Sequence, residues 1–146
     1  MVPVMAQVLE QGICFRMGGE NYLHPINNVK EVLPYEEPNP VIGAPACVEG
    51  MIELRGNLVT VVYGSSILDV SLDDAAEEGH ILVLDLPEGY FGVRVEGVEN
   101  VMSINNEEVD RQSAQYYPHD CIQGTIERQG DLYILVDFTD YCNSLE

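Results

Sequence analysis

The sequence predicts an all-β protein made of two small five-stranded β-barrels, with short helices only. Apolar runs are brief, rich in β-branched residues and bounded by Gly, Pro and Asn, which is typical of strands joined by turns. The same strand-rich pattern also occurs twice within the 146 residues. Duplication of one such unit favours two small barrels that share an apolar interface.

The repeat is clearest in two hairpins. Residues 48–63 read VEGMIELRGNLVTVVY, and residues 122–137 read IQGTIERQGDLYILVD. A shift of 74 residues places Gly56 on Gly130. Because glycine and asparagine both tolerate a positive φ, we expect the first hairpin to turn at Gly56-Asn57. Upstream, a shift of 69 residues superimposes the earlier apolar positions: Phe15 on Leu84, Tyr22 on Phe91, Ile26 on Val95, Val29 on Val98 and Val32 on Val101.

The first copy can be followed element by element. Residues 1–11 lack a clear period and are predicted to be a loose arm, and a hairpin over residues 13–23 turns at Gly18-Gly19. The threefold spacing of apolar residues over 26–32 suits a bent strand with a bulge or a short helical turn. Four prolines between residues 34 and 45 exclude a helix or a central strand, so this segment is predicted to be an extended connection. Residues 65–68 can form one turn of helix.

The acidic stretch DVSLDDAAEEG at residues 69–79 is the predicted linker, after which the plan restarts. Strands are expected near 81–84 and 90–93, with a turn at 87–89 between them, and residues 105–117 can hold a short helix. We therefore predict a single domain over residues 12–142, made of two subdomains at about 12–68 and 80–142.

Composition narrows the function. There are 6 Lys and Arg against 25 Asp and Glu, a formal net charge of −19, so nucleic acid and anionic membrane surfaces are unfavourable partners. No apolar run reaches the roughly 18 residues of a membrane span. The N-terminal residues lack a basic region and a cleavage-like site. The four cysteines are scattered singletons, which favours buried thiols over disulfides or zinc ligands. These features predict a cytoplasmic protein with no membrane insertion.

Residues that differ between the copies are candidates for function, because shared residues serve the fold. The shared pairs Gly56/Gly130 and Leu58/Leu132 are interpreted as turn and core. Arg55, by contrast, has Gln129 as its counterpart, and we expect it at the rim of a hairpin, where a guanidinium can grip a partner's carboxylate or backbone. A local salt bridge to Glu53 or Glu49 is the simpler alternative. Glu31 has Asn100 as its counterpart and is likewise not required by the repeat.

These residues resemble a known family. Tyr22, Ile26, Val29, Glu31 and Val32, then a Pro-rich segment, then Gly50-Met51-Ile52-Glu53-Leu54-Arg55-Gly56, follow the pattern of the CheW-like family of chemotaxis coupling proteins. The second half fits through Gly92-Val93, Val95, Val98, Val101, Ile122 and Gly124, so the resemblance covers residues 12–142. It implies two SH3-like β-subdomains, no catalysis and no cofactor.

The resemblance also implies partners. Members of the family link the cytoplasmic tips of chemoreceptors to the regulatory domain of the histidine kinase CheA. By position, the receptor-contacting groove would include Val29, Glu31, Gly50 and Arg55. The resemblance does not identify the residues that contact the kinase.

The sequence departs from the family pattern at three places. Tyr63-Gly64 stands where an Asp-Leu pair is usual, Thr60 stands where proline is common, and His24-Pro25 interrupts the strand after Tyr22. The stretch from Arg55 to Val62 is closer to coupling proteins of chemosensory systems that control pilus-driven twitching.

Two other classes of function were weighed. An enzyme would need converging polar groups, but the three histidines are far apart in sequence and no nucleophile, phosphate-loop or metal-ligand motif is present. We therefore expect no catalytic residues and no metal site. A module that senses a ligand or peptide in the groove between the barrels is the other alternative, since small barrels bind peptides by adding a strand or by gripping an apolar helix face.

Overall fold

The computed structural model describes residues 10–68, 79–117 and 121–143. Strands dominate these ranges and the helices are short, so the predicted all-β class is confirmed. The elements run in the order β1 (Glu10–Met17), β2 (Glu20–Pro25), β3 (Val29–Pro34), β4 (Val48–Leu54), β5 (Asn57–Tyr63), α1 (Gly64–Leu68), β6 (His80–Leu86), β7 (Gly89–Val95), β8 (Gly97–Ile104), β9 (Ile122–Arg128), β10 (Asp131–Val136) and α2 (Thr139–Asn143). Short 3-10 turns lie at Ile26–Asn28, Asn106–Glu108 and Gln112–Tyr116.

The strands form two five-stranded sheets. Sheet 1 has the order β8-β1-β2-β10-β9, and sheet 2 has the order β3-β6-β7-β5-β4. Neighbouring strands are antiparallel except at the centre, where β10 runs parallel to β2 and β5 runs parallel to β7. The two sheets therefore have the same topology, as the repeat predicts.

The division of the chain between the sheets differs from the predicted one. Each sheet takes strands from both copies: sheet 1 joins β1 and β2 to β8, β9 and β10, while sheet 2 joins β3, β4 and β5 to β6 and β7. The prediction of subdomains at 12–68 and 80–142 is therefore corrected. The 3-10 turn at Ile26–Asn28 carries the chain out of sheet 1 and into sheet 2. Residues 69–78 of the predicted linker lie outside the described residues.

Alternating side chains divide the interior into three apolar layers. On β6, Leu82 and Leu84 face the layer between the sheets, whereas Ile81 and Val83 face a second layer inside sheet 2. Sheet 1 has its own inner layer, which includes Cys14. Because these central strands are buried on both faces, they read as continuous apolar runs. All four cysteine thiols are free.

Local structure refines several predictions. Strand β1 begins at Glu10, because Glu10 pairs with Ile104 of β8, so the predicted arm is shorter than residues 1–11. Residues 1–9 lie outside the described residues. His24-Pro25 does not interrupt a strand, since both residues belong to β2. Over residues 26–34 both predicted alternatives occur, as a 3-10 turn followed by a bulged strand.

The Pro-rich segment is an extended connection, as predicted, and it crosses sheet 2. Asn39 forms an isolated bridge with Met51 of β4, and in the second copy Asp110 forms the same bridge with Thr125 of β9. The crossing backbone lies against Gly50, where a Cβ atom would collide with the Asn39 carbonyl. A Cβ at Gly124 would lie 2.7 Å from the Asp110 carbonyl oxygen.

Candidate partner-binding site

The hairpin turn that carries Arg55 is a two-residue turn. Leu54 pairs with Asn57, so the turn residues are Arg55 and Gly56, and the prediction of Gly56-Asn57 is wrong by one residue. Both have a positive φ, 50° at Arg55 and 85° at Gly56, which is the conformation of a type I′ turn. The φ angles of the second copy are nearly the same, 55° at Gln129 and 85° at Gly130. The turn geometry thus belongs to the fold, whereas the side chain at its first position differs.

Arg55 and Glu31 form a forked ion pair. The two terminal guanidinium nitrogens donate to the two carboxylate oxygens of Glu31 at 2.8 and 3.0 Å. The hydrogen bond from Arg55 lowers the pKa of Glu31, and the carboxylate raises the pKa of Arg55. The pair joins the β4–β5 turn to β3, the strand at the opposite edge of sheet 2. The expected local salt bridge exists, but its partner is Glu31 and not Glu53 or Glu49.

The pair remains open to a partner molecule. The Arg55 side chain is 68% exposed, and that of Glu31 is 22% exposed. An arginine held in a fork by one carboxylate keeps donors on its outer edge, because the guanidinium carries five N–H groups. The site therefore presents a fixed, oriented cation on a strongly acidic molecule.

The second copy closes its sheet with a different arginine. Arg128, at the end of β9, donates to the backbone carbonyl of Ser103 on β8 at 3.0 Å and to Glu108 at 2.9 Å. An arginine thus links the outer strands in both sheets, one position earlier in the second copy. The interpretation that the fold makes no use of Arg55 is corrected accordingly. What distinguishes Arg55 is its place on the turn itself and its greater exposure.

The other two predicted groove residues lie behind this pair. Val29 begins β3, is half-buried and packs against the layer between the sheets. Gly50 is buried beneath the crossing segment that contains Asn39. The structure thus brings Glu31 and Arg55 together at the surface and places Val29 and Gly50 in supporting positions.

Comparison with known proteins gives this arrangement its family. The model of the CheW-like domain matches residues 11–146. The chain belongs to the CheW-like family. It is 26% identical over 132 residues to the chemotaxis protein CheW of Treponema pallidum, covering 86% of this chain and 77% of that protein. It is also 28% identical over 107 residues to the protein PilI of Pseudomonas aeruginosa, covering 73% of this chain and 58% of that protein.

A solved structure shares the CheW-like fold. The scaffolding protein TtCheW from Thermoanaerobacter tengcongensis superimposes with a TM-score of 0.78 at 17% identity, over 90% of this chain and 91% of that chain. The agreement of fold at low identity shows that the double-sheet topology is that of the CheW-like domain.

An exposed leucine beside the turn escaped the sequence reasoning. Leu58 is 63% exposed and its counterpart Leu132 is 48% exposed, so their interpretation as core is wrong. Leu58 alternates with Thr60 and Val62 on one face of β5, and only Val62, at the far end, is buried. The tip extends beyond the layer between the sheets. The signal was the leucine's position next to the turn, where strands commonly project past the core.

A cation over an aromatic ring lies on the same sheet. The Lys30 ammonium on β3 is 5.2 Å from the centre of the Tyr90 ring on β7. Lys30 precedes Glu31, so two of the few cations of this chain lie near the acidic member of the ion pair.

The start of each helix after the repeated hairpin explains one departure from the family pattern. In the second copy, the Asp137 carboxylate accepts the Thr139 N–H at 3.0 Å and caps α2, as predicted for this residue. The first copy has Tyr63-Gly64 at the equivalent positions. A Cβ at Gly64 would lie 2.5 Å from the Arg94 carbonyl oxygen, so close packing replaces the cap there.

Two further searches concern the described residues only. Within residues 10–68, 79–117 and 121–143, no helix is long and apolar enough to cross a membrane. In the same ranges, no group of three or more His, Cys, Asp or Glu side chains is arranged to hold a metal ion.

Proposed function

We propose that this protein is a non-catalytic adaptor that couples chemoreceptors to a CheA-type histidine kinase in chemosensory signalling. The observation that carries the proposal is the match of the CheW-like domain over residues 11–146. Both partners would be engaged in the cytoplasm, through the receptor's cytoplasmic tip and the regulatory domain of the kinase. Signal would pass as a change in the arrangement of the two bound partners.

The receptor would bind at the Glu31–Arg55 pair. Arg55 offers outward donors to a carboxylate or backbone carbonyl of the receptor tip, and the forked contact with Glu31 fixes its direction. Val29 and Gly50 would act from behind, Val29 by packing under β3 and Gly50 by letting the Asn39 segment lie close to β4. The exposed Leu58 would add apolar contact beside the charged pair.

An adaptor of a type IV pilus chemosensory system is the second candidate. Its support is the 28% identity to PilI, which is comparable to the identity with the chemotaxis proteins. Purified protein incubated with the CheA-type kinases of the source organism would separate the two pathways. We expect retention by one kinase, and the chemosensory cluster that encodes that kinase identifies the output.

The receptor site can be tested by reversing one charge. Arg55→Glu should weaken binding to an immobilised receptor cytoplasmic fragment by about tenfold or more, because it removes the donors and sets two carboxylates against each other. Binding to the kinase regulatory domain should be retained. Gln129→Glu is the matched control, since it places the same side chain on the equivalent turn with nearly the same φ. Unchanged receptor affinity of Arg55→Glu would remove Arg55 from the site.

A swapped pair separates binding from closure of the sheet. The double variant Glu31→Arg with Arg55→Glu can restore the ion pair in the opposite direction. If the partner reads the cation on the turn, receptor binding stays weak while the melting temperature recovers. Full recovery of both would mean that the pair acts only by joining β3 to the β4–β5 turn.

A further inference from the structure

His24 is a buried titratable residue that the adaptor function leaves unexplained. It lies on β2, is 1% exposed, and its ring stacks on Phe138 with 5.4 Å between ring centres. Phe138 connects β10 to α2 and is itself fully buried. A buried polar ring at this junction needs partners for both of its nitrogens.

The contacts of His24 define its protonation state. The backbone N–H of Phe138 donates to Nε2 at 3.0 Å, so Nε2 must carry a lone pair. Nδ1 lies 2.8 Å from the carbonyl oxygen of Pro25, which can only accept, so Nδ1 carries the proton. Both contacts are satisfied only by the neutral ring with its proton on Nδ1.

A second proton would break this arrangement. Protonated Nε2 would face the Phe138 N–H as donor against donor, and that amide would lose its acceptor in a buried position. The nearest available acceptor is the Asp137 carboxylate, with Oδ1 at 3.5 Å from Nε2. That same oxygen accepts the Thr139 N–H and caps α2. The charged ring would therefore compete with the start of the helix for one oxygen.

The groups around the ring favour the neutral form. The β10–α2 junction presents Asp137 and Phe138, the ring's own strand presents the Pro25 carbonyl, and β1 places apolar Ile13 opposite His24. Burial is the largest effect and lowers the pKa of His24, while the Pro25 carbonyl and Asp137 oppose it. Asp137 is the charged group that faces the ring among the described residues.

We propose that His24 is a proton-sensitive latch that docks the C-terminal helix α2 onto the apolar layer between the two sheets. Neutral His24 holds Phe138, and Asn28 adds a hydrogen bond to the Thr139 hydroxyl at 3.3 Å. Phe138 and Cys142 both belong to the layer that the sheets share. Protonation of His24 loosens the start of α2 and uncovers that layer.

The latch is present in one copy only. At the shift of 69 residues His24 falls on Val93, and the helix of the first copy starts at Gly64 without a side-chain acceptor from a histidine. Loosening would therefore act on one end of the molecule while α1 stays in place. An adaptor with such a latch would change the relation of its sheets in acidic conditions.

The direction of the pH effect follows from linkage. An unfolded histidine takes up its proton near pH 6.5, and folded His24 takes it up at lower pH. Below pH 6.5 the unfolded state therefore binds more protons, and stability falls as the pH falls. Above pH 6.5 His24 adds no pH dependence.

Nuclear magnetic resonance of the full chain tests the latch. Ring nitrogen shifts at pH 7.5 should show the tautomer with the proton on Nδ1. The exchange protection factor of the Phe138 amide should fall at least about tenfold between pH 7.5 and the pH at which His24 becomes charged, while amides of β6 stay protected. Asp137→Asn keeps the cap acceptor but removes the charge, so it should shift the titration of His24 to lower pH.

His24→Asn is the variant that cannot titrate but can still accept the Phe138 N–H. It should keep constant protection at Phe138 across the same pH range and lose less stability in acid, by urea unfolding, than the unaltered protein. The proposal is overturned by the Nε2–H tautomer in the unaltered chain. It is also overturned if Phe138 protection stays constant while His24 titrates, or if His24 stays neutral until the whole chain unfolds.

Discussion

Arg55 and Gln129 occupy the first position of equivalent turns, where an L-residue has to adopt a left-handed backbone, with φ of 50° and 55°. This conformation is costly for most side chains and is preferred by Asn and Gly. Since both copies accept the cost, it is set by the type I′ turn and not by one partner site. The choice of arginine is then a separate matter, decided by the contact with Glu31 and by what the exposed guanidinium can bind.

The cost of the turn can be measured in the copy that lacks the ion pair. Gln129→Asn should raise the free energy of unfolding by about 1 kcal/mol, because Asn adopts a positive φ more easily. Urea unfolding checks the change. Arg55→Asn gains the same backbone relief but loses the Glu31 contact, so it should stabilise less than Gln129→Asn. Equal stabilisation would mean that the ion pair adds nothing to the fold, and destabilisation by Gln129→Asn would refute the turn assignment.

At the residue scale the sequence predicted the members of the site but not their contact. Comparison of the copies singled out Glu31 and Arg55 separately, because neither is repeated. Their pairing depends on the curvature that brings the outer strands β3 and β4 of sheet 2 together, and no local pattern encodes that approach. The exposure of Leu58 was missed for a related reason, since alternation gives the face of a strand but not where the opposing layer ends.

Elements explain the repeated glycines. Gly50 and Gly124 each lie under a crossing segment, and the segments bridge to the next residue of β4 and β9 through Asn39 and Asp110. The sequence predicted the extended connection from its prolines, and the repeat marked both glycines as important to the fold. It could not show that the connection folds back onto its own strand.

Substitution of these glycines separates a fold role from a receptor contact. Gly50→Ala and Gly124→Ala should each lower the free energy of unfolding by about 1–3 kcal/mol, because a Cβ would collide with backbone that is held by two hydrogen bonds. Gly97→Ala on β8 is the control, since its Cβ would meet no described atom within 4 Å. Chemical denaturation measures all three. If Gly50→Ala weakened receptor binding with no loss of stability, Gly50 would be a contact residue and not a spacer.

At the scale of the whole molecule, the exchange of strands makes the two copies interdependent. The parallel pairs β2–β10 and β5–β7 each join a strand of one copy to a strand of the other at the centre of a sheet. The repeat predicted two equal sheets correctly. It could not predict the exchange, because an identical pattern of strands is compatible with pairing inside a copy or between copies. A force on one sheet is therefore transmitted through the central strands to the chain of the other.

The exchange predicts how the protein behaves when it is cut. A protease site inserted between residues 69 and 78 should yield two fragments that stay together in size-exclusion chromatography, because each sheet needs strands from both. Fragments 1–68 and 79–146 expressed separately should lack cooperative unfolding, since the layer shared by the sheets would be open to water. Mixing them should restore the circular dichroism of the intact chain. A separate fragment that unfolds cooperatively as a monomer, with the intact β-sheet signal per residue, would contradict the exchanged topology.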